Sequence, residues 1–204
     1  MKPLLAVIDY GMGNLRSVVR AWEHVGAAVK LVSNPDEAKD VDALVFPGQG
    51  AIVDAMRLLQ KTGFSDFIRD WIAGEKPFFG ICLGLQALFE HSEEGDTKAL
   101  GVFKGNVRRF NVQVPLKVPH MGWNRVKQSQ HPLWKGIEDN AYFYFVHSFC
   151  AQVSDEHTVG VCKYGVPFSA VMAKDNIFAV QFHPEKSGKS GERILQNFVS
   201  QYRT

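Results

Sequence analysis

Cys82 stands between two glycines in the segment Gly80-Ile81-Cys82-Leu83-Gly84, where an apolar run meets a helical pattern. A nucleophile on such a strand-to-helix turn projects its side chain outward, and small neighbours admit a substrate. The N–H groups that begin a helix favour a thiolate, and the N–H of Leu83 can donate to an oxyanion. The segment therefore predicts a cysteine nucleophile, while a buried structural cysteine between loop glycines is the alternative for this segment alone.

A base and an acid for this nucleophile are found in His183-Pro184-Glu185, at the end of another apolar run. Because proline holds the residue before it in an extended conformation, His183 and Glu185 should point to similar sides. A carboxylate there can orient the imidazole and stabilise its positive charge. Together with Cys82 these residues predict a catalytic triad, although His183 alone fits an ordinary loop histidine equally well.

A third candidate element is Pro47-Gly48-Gln49-Gly50, which also follows an apolar run. Its glycines allow a peptide to rotate and to aim a second N–H at the oxyanion. The alternative is an ordinary turn at the end of a strand.

The first half of the chain alternates apolar strands with helical patterns. The strands are predicted at 4–9, 28–33, 42–48 and 77–81, and the helices at 14–26, 51–60, 64–73 and after Cys82. Apolar strands separated by helices indicate a parallel sheet that is covered on both faces. Ligands bind beyond the carboxyl ends of such strands, and the cysteine and glycine segments lie there.

The second half is richer in strand patterns, and a helix over about 191–202 ends it. The strands are predicted at 106–114, 122–127, 141–152, 157–164 and 168–182, the last with a hairpin turn at Asp175-Asn176. We therefore expect an α/β fold in one domain over 1–204. Its central sheet is expected to be mostly parallel, with flanking helices and added antiparallel strands.

Composition excludes several classes of protein. The 23 basic and 21 acidic residues nearly cancel, which argues against a nucleic-acid binder, and no apolar run is long enough for a membrane span. The three cysteines show no C-x-x-C spacing and fit reduced thiols in a cytoplasm, and no histidines are spaced as metal ligands. The segment GMGNLR is no dinucleotide fingerprint, because Arg16 replaces its third glycine and Ser33 stands where an acid is needed.

The glycine-flanked cysteine, the His-Pro-Glu segment and the Pro-Gly-x-Gly segment together resemble the class I, triad-type glutamine amidotransferases, which release ammonia from glutamine. The resemblance implies a flavodoxin-like architecture and no metal or organic cofactor. It makes Cys82 the nucleophile, His183 the base and Glu185 the residue that orients it. Oxyanion N–H groups are implied at Leu83, Gly48 and Gln49, and substrate-binding roles at Gln86, His147, Ser148 and Gly50. Phe149 departs from the family, which often has tyrosine there.

Four further segments resemble one branch of that family, the glutaminase subunits of imidazole glycerol phosphate synthases. They are DYGMGNL at 9–15, PHMGWN at 119–124, YFVHS at 144–148 and HPEKSG at 183–188. This resemblance implies L-glutamine as the substrate and a heterodimer with a separate barrel-shaped cyclase subunit, in histidine biosynthesis. Interface roles are predicted for Trp123, Asn124, His120 and Asn14. For Trp123, a place in the core of the chain itself is the alternative.

Three other functions are weighed against this one. A glutaminase subunit of pyridoxal phosphate synthesis is the nearest, but the segments at 9–15 and 119–124 favour the histidine pathway. A freestanding cysteine hydrolase would not need Gln86 or the YFVHS segment for recognition of an amino acid. A catalytically inactive interaction subunit would not need Cys82, His183 and Glu185 together.

Overall fold

The computed structural model of the chain describes residues 2–154 and 156–201, so the predicted end of the last helix at Tyr202 lies outside it. The strands are β1 (Leu4–Ile8), β2 (Ala28–Val32), β3 (Ala43–Gly48), β4 (Phe78–Cys82), β5 (Phe89–Ser92), β6 (Thr97–Lys98), β7 (Phe103–Arg109), β8 (His120–Gln128), β9 (Tyr142–His147), β10 (Phe149–Ala151), β11 (Thr158–Tyr164), β12 (Val166–Lys174) and β13 (Ile177–Val180). The α-helices are α1 (Leu15–His24), α2 (Ile52–Thr62), α3 (Phe64–Ala73), α4 (Leu83–Gln86) and α5 (Gly188–Ser200). Short 3₁₀ helices cover Pro35–Ala38, Pro132–Trp134 and Pro184–Lys186.

The larger sheet has the strand order β2-β1-β3-β4-β13-β12-β11-β8-β9. Its pairings are parallel from β2 to β13 and antiparallel from β13 to β9. The predicted α/β fold with added antiparallel strands is therefore confirmed, and the hairpin turn at Asp175-Asn176 joins β12 to β13. The parallel half carries the carboxyl ends of β3, β4 and β13 side by side.

Helices cover both faces of the parallel half. On one face, Trp22 of α1 and Phe198 of α5 pack on Phe79 of β4, with ring centroids 5.1 and 5.0 Å away. On the other face, α2 and α3 bury their apolar sides in a cluster that includes Phe46 and Leu59. The strands are apolar on both sides because both sides are covered, as in doubly wound sheets. No helix among the described residues is long and apolar enough to cross a membrane.

The helix predicted after Cys82 is a single turn, which corrects the sequence-based expectation. A carbonyl group that would be needed to continue the helix is bonded elsewhere, because Leu88 O accepts hydrogen bonds from Val102 N and Phe103 N, both at 2.8 Å. Residues Phe89–Ser92 instead form β5, which pairs with β7 in a second sheet of order β10-β7-β5-β6. A short apolar run fits a helix or a buried strand equally well, and here the tertiary pairing decides.

The segment 141–152, predicted as one strand, is divided at Ser148, while α5 begins at Gly188 rather than at 191. Before Ser148 the chain forms β9 in the larger sheet, and after it β10 in the smaller one. The carbonyl of Ser148 accepts a hydrogen bond from Phe110 N at 3.0 Å, just beyond the end of β7. The crossing from one sheet to the other places residues 147–149 beside Cys82.

Candidate active site

Cys82 ends β4 with φ 53° and ψ −102°, a backbone conformation that residues other than glycine rarely adopt. The glycines around it are required by close packing. A Cβ atom at Gly84 would overlap the carbonyl oxygen of Phe46, and one at Gly80 would lie 2.8 Å from the carbonyl oxygen of Gly84. The sequence therefore forces the chain through a tight strand-to-helix turn with the sulfur at its tip, as in a nucleophile elbow.

His183 follows β13, the strand beside β4, and the parallel register pairs Val180 with Ile81. Its Nδ1 lies 2.9 Å from Oε1 of Glu185, and both side chains are only 2% exposed. The backbone of His183 is also fixed, because its N–H donates to Tyr144 O at 2.9 Å. The fold thus brings together Cys82, His183 and Glu185, and leaves Nε2 of His183 for the cavity that Cys82 also lines.

The charges around His183 set its protonation state. Burial alone would lower the pKa of His183, but the negative charge of a Cys82 thiolate and the Glu185 carboxylate raise it to about 10. Among the residues that the structure describes, Nε2 of His183 has no hydrogen-bond partner, so the charge of Cys82 rather than a formed Nε2–Sγ bond accounts for the raised pKa. An imidazolium at neutral pH can donate a proton to a leaving group.

A cavity of about 440 Å³ opens above the sulfur, and most of the predicted site residues line it. They are Cys82, His183, Leu83, Gln49, Gly50, Gln86, His147 and Ser148. Gly48 lies beside them, paired with Cys82 in the parallel register of β3 and β4. Leu83 begins α4, and the first N–H of a helix has no partner within that helix.

Two of the predicted substrate-binding side chains already have partners within the protein. Gln86 Nε2 donates to Phe149 O at 2.9 Å and to Gln181 Oε1 at 3.1 Å. Both ring nitrogens of His147 are bonded, Nδ1 to Phe149 O at 2.7 Å and Nε2 to Nδ1 of His120 at 2.9 Å. These two residues therefore shape the cavity wall. The backbone carbonyl of Phe149 accepts from both, so neither hydrogen bond depends on a tyrosine hydroxyl at position 149.

The predicted interface residues differ in exposure because side chains alternate along β8. Trp123 is 55% exposed and stands opposite Tyr144 of β9, so it is a surface residue and not part of the core. His120 points the other way and is only 3% exposed. It offers no surface to a partner, and Asn124 binds its Nε2 at 3.2 Å. Asn14 is exposed, before α1.

Sequence reasoning missed three polar residues of this region. Glu94 and Lys186 line the cavity, one a carboxylate and the other an ammonium group. Gln181 is fully buried, and its Nε2 lies 3.5 Å from Cys82 Sγ. Nothing in the local sequence marks Glu94, whereas a glutamine within the apolar run that ends at Phe182 is a visible exception.

The other two cysteines, Cys150 in β10 and Cys162 in β11, do not line the cavity. Burial raises the pKa of the Cys150 and Cys162 thiols to about 12, so both stay protonated at neutral pH. All three cysteines are free. Within the described residues, no group of three or more His, Cys, Asp or Glu side chains is placed to hold a metal ion.

The family model "Glutamine amidotransferase class-I" matches residues 6–202. The chain belongs to this family. This class I glutamine amidotransferase is 53% identical to a protein of Dechloromonas aromatica (strain RCB) named imidazole glycerol phosphate synthase subunit HisH, over 96% of this chain and 95% of that protein. A protein of the same name from Thiobacillus denitrificans (strain ATCC 25259 / T1) is 52% identical, over 96% of this chain and 90% of that one.

Solved structures agree with the fold of this amidotransferase. The structure of PurLQS from Thermotoga maritima superposes with a TM-score of 0.76 at 19% identity, over 100% of both chains. The glutaminase domain of Trypanosoma brucei CTPS gives a TM-score of 0.61 at 14% identity, over 100% of this chain and 96% of that one.

Proposed function

We propose that this chain is the glutaminase subunit of an imidazole glycerol phosphate synthase. It hydrolyses L-glutamine to L-glutamate and ammonia, and a cyclase subunit uses the ammonia to make imidazole glycerol phosphate and AICAR in histidine biosynthesis. The observation that carries the chemistry is the meeting of Cys82 and His183 at one cavity, with Glu185 bonded to Nδ1 of His183. The names of the relatives support the pathway and favour it over pyridoxal phosphate synthesis.

The first half of the reaction forms a thioester. The Cys82 thiolate attacks the side-chain amide carbon of glutamine, and the N–H groups of Leu83 and of the Gly48-Gln49 peptide receive the oxyanion. The imidazolium of His183 then gives its Nε2 proton to the leaving nitrogen as the carbon–nitrogen bond breaks, so that ammonia departs. Glu185 holds the imidazole by Nδ1 throughout.

The second half releases glutamate. His183, now neutral, takes a proton from water through Nε2, and the hydroxide attacks the glutamyl thioester. The tetrahedral intermediate collapses and expels the Cys82 thiolate, which restores the starting pair of thiolate and imidazolium. Each proton taken by His183 is thus returned in the next turnover.

Charges at the cavity rim suit the two ends of an amino acid. The carboxylate of Glu94 accepts Ile52 N through Oε2 at 2.9 Å, and its position at the cavity suits an α-ammonium group. Lys186 supplies the opposite charge for an α-carboxylate. We assign these two residues to substrate recognition beside Ser148 and Gly50, with Gln86 and His147 forming the wall against which the substrate lies.

We place the partner surface on the exposed side of the β8–β9 pair. Met121, Trp123 and Tyr142 project from it as exposed large side chains, and aromatic side chains are common anchors of protein interfaces. Ammonia that reached bulk water would be protonated and lost as a nucleophile, so a covered route to a second active site is needed. A cyclase bound over this surface and over Asn14 supplies that cover.

The experiment combines the chain with a purified cyclase and the ribonucleotide substrate of that cyclase. We expect glutamine-dependent formation of imidazole glycerol phosphate, together with glutamate release that is far slower without the cyclase. With Cys82→Ser, the glutamine-dependent reaction should stop, while ammonium salts should still support the cyclase. Failure of the wild-type chain to supply ammonia to the cyclase would contradict the proposal, and glutamate release coupled to a pyridoxal phosphate synthase would replace it.

A further inference from the structure

Gln181 is a fully buried amide at the end of β13 that the proposed reaction does not use. Its Nε2 donates to Cys82 Sγ over 3.5 Å, an ordinary distance for a hydrogen bond to sulfur. Gln181 does not line the cavity, so it is not placed to touch glutamine. Any effect on the reaction would therefore act through the sulfur.

The orientation of this amide is fixed by a chain of hydrogen bonds. The carbonyl oxygen of Phe149 can only accept, so the group of Gln86 that lies 2.9 Å from it must be the donor Nε2. The same Nε2 lies 3.1 Å from Gln181, which must present its acceptor Oε1 there. The remaining end of the Gln181 amide, the donor Nε2, then faces the sulfur. If the Gln181 amide were reversed, its Nε2 would face Nε2 of Gln86, which is also a donor, and its Oε1 would face the sulfur.

A donor beside a sulfur favours the charged form, because a hydrogen bond to a thiolate is stronger than one to a thiol. The sulfur also faces the imidazole of His183 and the phenol of Tyr10. The carbonyl oxygen of Val146 accepts from the thiol at 4.0 Å and offers nothing to a thiolate. Burying an amide also costs free energy unless its ends are bonded. A methionine would fill the same volume without that cost.

We propose that Gln181 is a positioning residue that holds the Cys82 sulfur as a thiolate at the strained turn, with Gln86 and the Phe149 carbonyl fixing the direction of its amide. The inference rests on the proposed role of Cys82 as the nucleophile. It assigns Gln86 a second task besides shaping the cavity, and it makes the backbone at the crossing between the two sheets part of the support for the nucleophile.

The test is the pH dependence of Cys82 alkylation by iodoacetamide in the full chain, followed by mass spectrometry of the Cys82 peptide. The variants are Gln181→Met, which keeps the volume and removes the donor, and Gln181→Glu, which keeps the shape and adds a negative charge. Ser169→Ala is the matched control, because Ser169 is equally buried and bonded to Gln152 O at 2.8 Å but does not contact the sulfur. Each Gln181 variant is repeated with His183→Asn to separate it from the imidazole.

For Gln181→Met we expect the midpoint pH of alkylation to rise by about one unit, which is a tenfold fall in thiolate at lower pH. Gln181→Glu should raise it further, and Ser169→Ala should leave it unchanged. In the complex with cyclase, kcat should fall about tenfold in Gln181→Met while KM changes less than about twofold, since the binding of glutamine is not altered. The alkylation shift should persist in the His183→Asn background.

The inference is overturned if folded Gln181→Met alkylates with the wild-type pH profile. If Gln181→Met does not fold, an unshifted profile in Gln181→Glu overturns it instead. A shift that disappears with His183→Asn also overturns it, because Gln181 would then act only by placing the imidazole. Wild-type Cys82 that alkylates no faster at pH 7 than a free thiol is a different result, which contradicts the proposed function and not the role of Gln181.

Discussion

Two pairs of buried side chains near the cavity each contain histidine, yet their protonation differs. His183 is bonded to Glu185, and its pKa is raised to about 10 in spite of burial. His120 is bonded to His147, and burial lowers their pKa values to about 4 and about 3, with a further lowering of His147 by His120 and His183. The His183 pair is therefore charged at neutral pH and the His120 pair neutral.

The difference shows that the partner, not the burial, decides what a histidine can do here. Burial opposes the charged form in both pairs, but a carboxylate and a thiolate outweigh it in one of them. The hydrogen-bond partners of the other pair are neutral, and its ring nitrogens form a one-directional chain from Asn124 through His120 and His147 to Phe149 O. The His183 pair can transfer protons, and the His120 pair supports the wall of the cavity.

Removal of the Cys82 thiolate should most strongly reduce the difference in protonation between the two histidine pairs. Cys82→Ser should lower glutamate release about 10⁴-fold or more, because a serine hydroxyl stays neutral beside His183. The pKa of His183 should fall at the same time, since the charge of Cys82 is its strongest raising influence. NMR titration of the imidazole and a glutamate assay with bound cyclase measure the two effects. Cys162→Ala is the control, and near-normal turnover by Cys82→Ser would refute the triad.

Removal of the carboxylate should have a smaller effect. Glu185→Gln keeps an oxygen for Nδ1 of His183 but loses the charge, and we expect kcat to fall about 10³-fold. The pKa of His183 should fall less than in Cys82→Ser, because the charge of Cys82 raises it more than Glu185 does. Glu192→Gln is the matched control, since Glu192 pairs with His24 at the exposed surface. Equal losses of activity in the two variants would show that the effect is not specific to the triad.

His183, Glu185 and the neighbouring Cys82 could be predicted from the sequence. Local geometry explains this, because a glycine-flanked cysteine and a His-Pro-Glu segment each impose their own backbone conformation. The alternation of apolar strands and helices then predicts that their strands end at one edge of a parallel sheet. Only the direct adjacency of β4 and β13, far apart in the chain, had to come from the structure.

The neutral pair and its surroundings could not be predicted in the same way. The PHMGWN segment predicts an interface role for His120 beside Trp123, but the period of two along β8 turns its side chain inward. The division of 141–152 at Ser148 and the strand β5 depend on the second sheet, whose pairings join segments with no local pattern in common. Gln181 and Glu94 depend on other long-range contacts, with Gln86 and Cys82 for Gln181 and with Ile52 for Glu94.

Acid should act on the two pairs in opposite directions. His147, with a folded pKa of about 3 against an ordinary 6.5, gives stability that is complete above pH 6.5 and is lost as the pH falls, because the unfolded chain then binds more protons. His183, with a folded pKa of about 10, gives stability that is complete below pH 6.5 and is lost as the pH rises towards 10.

Urea unfolding of the wild type and of His147→Gln from pH 7 to pH 4 measures the neutral pair. We expect the wild type to lose about 2–3 kcal/mol more than the variant over this range, from about 1.4 kcal/mol for each unit of pKa difference. The variant itself should be less stable at pH 7, because it gives up two buried hydrogen bonds. Parallel curves for the two proteins would mean that His147 does not carry the acid sensitivity.

Trp123 covers the outer side of β8, whose inner side carries His120, and its loss should change the isolated chain least. We expect Trp123→Ala to leave the free energy of unfolding nearly unchanged, since 55% of the side chain is already in solvent. Its affinity for the cyclase should fall by about 2 kcal/mol, or about 30-fold, because an interface anchor is removed. Leu31→Ala is the matched control, as Leu31 is 47% exposed on β2 at the opposite edge of the sheet. Calorimetric titration with cyclase measures the affinity, and urea unfolding measures the stability. An unchanged affinity would contradict the proposed partner surface, and a large loss of stability would show that the effect of Trp123 lies within the chain itself.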